Sequence, residues 1–182
     1  MPKKKSYFSL YEIALLSLCG ALIFVLKMVF KIPIQLPGHT AILWVIPMIL
    51  GIGIVKKPGA GIYIGLIGGL LLSFFGMDAL RLFNVFEYLT MGVTMDLIAV
   101  IFAYRFDSPP VGFIAGATGS VAKMVVNYGV QYLLGVPGAF LILGIGVASV
   151  IHIVFGGVGG IIAALVIARL TRAGVVQESP GG

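Results

Sequence analysis

The residues best suited to chemistry form a polar stripe inside an apolar segment long enough to span a membrane. Lys123, Asn127 and Gln131 follow one another at intervals of four, so they share one face of an α-helix. A lysine near the bilayer centre costs on the order of 3 kcal/mol on insertion scales and should face a partner or a wet cavity. Two interpretations stay open. Either Glu87 or Asp96 neutralises Lys123 and joins two helices, or the stripe also lines a ligand pocket.

Other polar and aromatic residues fall in the same half of the predicted bundle, near the starts of the second and fourth apolar segments. Amines, amides and carboxylates can bond the edge of a small molecule, and aromatic rings can stack on its face. An apolar pocket with a few convergent polar groups is typical of a ligand site. The candidate substrate-binding residues are therefore His39, Trp44, Asn84, Glu87, Tyr88, Lys123, Asn127 and Gln131.

Plainer roles stay open for several polar residues. Glu87 could be an ordinary interfacial carboxylate, and His39 could bond the start of a helix. His152, three residues after Ser149, fits a packing histidine that pairs with that serine as well as it fits a site residue. Asp96 lies deeper, where a carboxylate needs Lys123, His152 or water.

Several kinds of chemistry lack their motifs. Cys19 is the only cysteine and the two histidines lie far apart in sequence, so we predict no metal site and no cofactor. The chain has no His-Glu-x-x-His, no Gly-x-Ser-x-Gly and no glycine-rich loop followed by Gly-Lys-Ser/Thr. We therefore predict no catalytic residues, no enzymatic activity and no nucleotide motor within the chain.

The composition is that of an integral membrane protein. Of 182 residues, 60% are hydrophobic and only 10% are charged, and the mean hydropathy is +1.15. The net charge of +6 comes from residues at the ends of apolar segments, which indicates membrane topology and not nucleic-acid binding. Glycines within the segments favour close helix packing.

Pro and Gly punctuation divides the chain into six candidate membrane-spanning helices. The predicted fold is an all-α membrane bundle of six helices over residues 9–172, between a basic N-terminus, 1–8, and a short tail, 173–182. The six segments lie at about 9–31, 40–55, 59–76, 82–104, 110–134 and 138–170.

The distribution of basic residues orients this bundle. With the N-terminus in the cytoplasm, eight basic residues lie inside and three outside, which satisfies the positive-inside rule. Both termini are then predicted to be cytoplasmic. The inner set is Lys3, Lys4, Lys5, Lys56, Lys57, Arg105, Arg169 and Arg172, and the outer set is Lys27, Lys31 and Arg81.

Over residues 9–172 the chain resembles the S components, the substrate-binding membrane subunits of energy-coupling factor (ECF) vitamin transporters. The resemblance rests on the six segments, on "ALLSLCGALIFVLKMVFKIPIQLPGHT" as first helix and outer loop, and on the glycine-rich "HIVFGGVGGIIAALVIARLTR". "VKKPGAG" also resembles the second loop of S components for thiamine precursors, although "IYIGLIGG" after it lacks the expected carboxylate.

The resemblance implies a multi-pass protein of a prokaryotic plasma membrane that captures a vitamin-like molecule near the outer side. A separate transmembrane coupling protein and cytoplasmic ATPases would supply the energy. The family's interface with the coupling protein would fall on Ala14, Ser17 and Ala21 of the first helix. The alternative is a stand-alone small-solute transporter driven by an ion gradient, with Asp96, Lys123 and His152 as a relay.

Overall fold

The computed structural model describes residues 7–30, 38, 40–76 and 80–176, and its regular structure over these ranges is entirely helical. The predicted residue His39 lies outside the described residues. A short 3-10 turn, Arg81–Phe83, leads into the fourth helix. The six α-helices are α1, Leu10–Val29; α2, Ala41–Val55; α3, Ala60–Phe75; α4, Asn84–Ile101; α5, Pro109–Leu133; and α6, Gly138–Arg172.

Each predicted segment corresponds to one of these helices, with ends that differ by a few residues. Four are long and apolar enough to cross a membrane, namely α1, α4 with its 3-10 turn, α5 and α6. The 15 residues of α2 and the 16 of α3 make apolar helices about 23 Å long, which is short of a full bilayer core. The chain is a multi-pass membrane protein, whereas its count of six spans and its cytoplasmic termini stay predictions.

The start of α1 is tied to the turn between α2 and α3. Ser9 and Glu12 form a capping box, in which each side chain accepts a hydrogen bond from the other residue's backbone N–H, at 3.2 and 2.7 Å. Lys57 then donates to Glu12 over 2.8 Å, and the Tyr7 hydroxyl donates to the carbonyl of Pro58 over 3.2 Å. These bonds fix the end of the bundle opposite the candidate site.

Glycines bring helix backbones into direct contact, as their positions within the segments predicted. A Cβ added at Gly61 on α3 would lie 2.6 Å from the carbonyl oxygen of Gly92 on α4, and one added at Gly116 on α5 would collide with the carbonyl oxygen of Gly156 on α6. Backbone atoms occupy the space that any side chain would need. The antiparallel pairs α3–α4 and α5–α6 are therefore closely packed units.

Asp96 joins α3 to α4 in a way that the sequence did not indicate. Its two carboxylate oxygens accept the backbone N–H groups of Gly61 and Ile62, over 2.9 and 3.0 Å. Of the partners considered for Asp96, Lys123 bonds Glu87 and His152 bonds Ser120. The first N–H groups of a helix have no acceptor of their own and carry the positive end of the helix dipole, so a carboxylate is stabilised there.

The second helix is the centre of the bundle. It packs against every other helix and most of its residues are buried, including Trp44, Met48 and Ile52. Because α2 and α4 run in the same direction, their first turns lie at the same end of the bundle. That end carries most of the candidate site.

Candidate functional site

A buried ion pair lies at the middle of the candidate site. Lys123 of α5 donates to the Oε2 atom of Glu87 on α4. The two residues are only 7% and 2% exposed, so neither charge is stabilised by bulk water. Of the two open interpretations, the one in which a carboxylate of the fourth segment neutralises Lys123 is observed, and the partner is Glu87 and not Asp96. That the stripe also lines a ligand pocket stays a prediction.

The remaining polar side chains of the stripe also lead to Glu87. Asn127 donates through Nδ2 to Glu87 Oε1 over 2.6 Å. Gln131, one turn further along α5, donates through Nε2 to Asn127 Oδ1, also over 2.6 Å. The spacing of four therefore aligns three side chains on one face, and both oxygens of Glu87 accept hydrogen bonds.

Two aromatic rings enclose the ammonium group of Lys123. Trp44 of α2 and Tyr88 of α4 meet edge to face, with ring centroids 6.1 Å apart and planes at 83°. The Nζ atom of Lys123 lies 4.9 Å from each ring centroid, within the range of a cation–π interaction. The rings and Glu87 together provide an environment in which a buried cation is stable.

Lys27 is a member of this environment that sequence reasoning did not assign to the site. Its ammonium group lies 5.9 Å from the centroid of the Tyr88 ring. Its position near the end of α1 indicated only a basic residue at the membrane edge. The sequence could have indicated this role, because the last turn of α1 and the first turn of α4 lie at the same side of the predicted bundle.

His152 lies against α5 and against the residue before His39. Its Nδ1 atom is 2.8 Å from the hydroxyl oxygen of Ser120, and a Cβ added at Gly38 would lie 2.5 Å from its Cδ2 atom. The predicted pairing with Ser149 is wrong, because that hydroxyl donates to the carbonyl of Ile145 over 2.7 Å. A serine within a helix can donate to the backbone carbonyl four residues earlier, and Ser149 does so.

The three residues that would form the relay of a stand-alone transporter do not contact one another through hydrogen bonds among the described residues. Asp96 bonds the start of α3, Lys123 bonds Glu87, and His152 bonds Ser120. No hydrogen bond among the described residues links one of these three sets of contacts to another.

The predicted partner face on α1 is partly occupied by contacts within the bundle. Ala14 is exposed and Ala21 is half-buried. The Ser17 hydroxyl lies 3.2 Å from the hydroxyl of Tyr63 on α3. The side chains of Ala14 and Ala21 are thus the more accessible members of this face.

Metal-binding side chains are not clustered in the part of the chain that the structure describes. Within residues 7–30, 38, 40–76 and 80–176, no group of three or more His, Cys, Asp or Glu residues could hold a metal ion. The polar groups that converge at the candidate site are the ammonium group of Lys123, the carboxylate of Glu87 and the amides of Asn127 and Gln131. In the structure these groups hydrogen-bond one another.

The helical bundle and its buried polar residues place this protein among multi-pass membrane proteins with an internal polar site. Comparison with known proteins identifies the family. The family described as "ABC-type cobalt transport system, permease component" matches residues 10–122. Since this match spans more than half of the chain, the protein belongs to that family.

The fold has a solved counterpart described as an S-component of an ECF transporter. The two chains are 22% identical, the alignment covers 92% of this chain and 88% of that one, and the TM-score is 0.63. The resemblance to S components is thereby confirmed, and the protein has the S-component fold. No curated protein matches the sequence.

Proposed function

We propose that this protein is the substrate-capturing membrane subunit of an ECF-type importer for a vitamin or related small organic molecule. The observation that carries the proposal is the buried Lys123–Glu87 pair, enclosed by Trp44 and Tyr88 and extended by Asn127. Five side chains from three helices converge there on one small volume. Such a constellation in an otherwise apolar bundle is the usual form of a small-molecule site.

The direction of transport follows from the proposed topology. With both termini in the cytoplasm and six spans within 9–172, the first turns of α2 and α4 face outward. Trp44 and Glu87 then lie near the outer side, where an importer meets its substrate. The positive-inside distribution of basic residues supports this orientation.

The energy for import would come from partner proteins. The chain carries no nucleotide-binding loop, and the S-component fold supports assembly with a transmembrane coupling protein and cytoplasmic ATPases. We propose that Ala14, Ser17 and Ala21 of α1 contribute to the surface that meets the coupling protein. Small side chains permit close approach of another helix.

Cobalt is the substrate named in the description of the family, and it is the second candidate. Cobalt sites are usually built from imidazole and other nitrogen, oxygen or sulfur ligands that are free to coordinate. In the described site both oxygens of Glu87 already accept hydrogen bonds from Lys123 and Asn127. This arrangement favours an organic substrate over a bare cobalt ion.

Trp44 is the only tryptophan of the chain, so its fluorescence reports directly on the site. The purified protein in detergent would be titrated with thiamine, its pyrimidine precursor, riboflavin, biotin, pantothenate, pyridoxine and niacin, and separately with Co²⁺. We expect one organic compound to change the fluorescence in a saturable way. A response to Co²⁺ alone would replace the vitamin proposal with the cobalt one.

Lys123→Met and Asn127→Leu test whether the response comes from the proposed site. Both variants should lose binding by tenfold or more, because each removes a group that shapes the polar site. Lys57→Met is the matched control, since it removes a lysine from another Lys–Glu pair, the one with Glu12 at the opposite end of the bundle. If the folded site variants bind as tightly as this control, the assignment of the pocket fails.

A further inference from the structure

Two buried hydrogen-bond donors at the candidate site have no acceptor among the described residues. They are the indole Nε1 of Trp44 and the amide Nδ2 of Asn84. The two residues are only 4% and 3% exposed. A buried donor that lacks a partner destabilises a protein by about 1 to 3 kcal/mol, so native structures contain few of them and each needs a reason.

The neighbouring polar groups are in the opposite condition. Glu87 accepts from Lys123 on one oxygen and from Asn127 on the other, and Gln131 donates to Asn127. A substrate that bonded these groups would first have to break contacts that already exist. A substrate that bonded Trp44 and Asn84 would gain hydrogen bonds and break none among the described residues.

Each donor belongs to a residue whose place in the fold is close to Tyr88. Trp44 is in the first turns of α2 and its ring meets the edge of Tyr88. Asn84 is the first residue of α4, one turn before Tyr88 on the same face. Both helices begin at the same end of the bundle, so the two donors and the Tyr88 ring belong to one region.

We propose that the substrate presents hydrogen-bond acceptors to Trp44 Nε1 and Asn84 Nδ2, and that these two donors determine which molecule is accepted. The inference rests on the proposed function and adds the chemical class of the substrate: a small molecule with two acceptor atoms, such as ring nitrogens or carbonyl oxygens. Lys123, Glu87 and Asn127 then act as positioning residues that hold the aromatic pair in place.

This assignment has a consequence for the protein without substrate. Asn84→Leu removes a donor that has no acceptor among the described residues, and it keeps nearly the same side-chain shape. The melting temperature of this variant without ligand should therefore not fall below that of the wild type. Asn127→Leu is the matched variant, because it also replaces an asparagine by leucine. Its melting temperature should be lower than that of the wild type, because it removes a hydrogen bond to Glu87 and leaves Gln131 without its acceptor. A melting temperature of Asn84→Leu below that of the wild type would overturn the proposal, since it would mean that Asn84 already has a partner.

Binding gives the second measurement, made by calorimetry with the vitamin panel named above. Because Trp44 is the sole tryptophan, growth on 3-benzothienyl-alanine replaces its N–H by sulfur at this one position and keeps the ring shape. This protein and Asn84→Leu should each bind the responding compound about five- to tenfold more weakly than the wild type.

The outcomes separate this inference from the proposed function. If the wild type binds a panel compound and both altered proteins bind it within twofold, the two donors do not contact the substrate and the inference fails while the proposed function stands. If the wild type binds none of the compounds, the proposed function fails and the inference fails with it.

Discussion

At the scale of residues, the site is organised by one buried carboxylate. Glu87 accepts hydrogen bonds from Lys123 and Asn127. The rings of Trp44 and Tyr88 make cation–π contacts with the ammonium group of Lys123. Removal of one partner of a buried pair leaves the other charge without compensation, which is far more destabilising than loss of an exposed pair. The two Lys–Glu pairs of this protein allow that contrast to be measured within one chain.

Glu87→Gln should lower the free energy of unfolding by about 3 to 5 kcal/mol, because Lys123 would remain buried without a counter-charge. Glu12→Gln is the control. Its pair with Lys57 is partly exposed and glutamine can keep the capping box, so the loss should stay below about 1 kcal/mol. Melting curves of both variants in the same detergent give the comparison. Equal losses in the free energy of unfolding would contradict the conclusion that the Lys123–Glu87 pair is buried and unscreened by water.

At the scale of elements, α5 is held in register by its contact with α6. Gly116 faces the backbone of Gly156 so closely that a side chain there would collide with a carbonyl oxygen. The same helix carries Lys123 and Asn127 toward α4. The glycine contacts thus set the depth at which the polar stripe meets Glu87.

Gly116→Ala should destabilise the protein and weaken substrate binding, because the two helices must separate to admit the methyl group. Gly129→Ala is the matched control on the same helix, since a Cβ there has no described atom within 4 Å. Alanine is the better helix former by about 1 kcal/mol, so the control should be neutral or stabilising. A melting temperature for Gly116→Ala at or above that of the control would show that the helices do not pack this closely.

At the scale of the whole molecule, the sequence predicted six apolar helices because hydrophobic length and Pro and Gly punctuation are local signals. It also predicted that Lys123 faces a partner or a wet cavity, since a lone charge within a membrane is unstable. It could not choose between Glu87 and Asp96, because that choice depends on how α4 and α5 are aligned. The contacts of Ser120 with His152 and of Trp44 with Tyr88 join distant segments, so no local pattern could reveal them.

In the proposed function this protein captures a substrate but does not move it unaided. The most direct test is uptake of a radiolabelled form of the panel compound that binds, in vesicles containing only this protein. We predict saturable binding with no accumulation when a proton or sodium gradient is imposed. Accumulation beyond the number of binding sites that disappears when the gradient is collapsed would contradict the account and identify a stand-alone transporter.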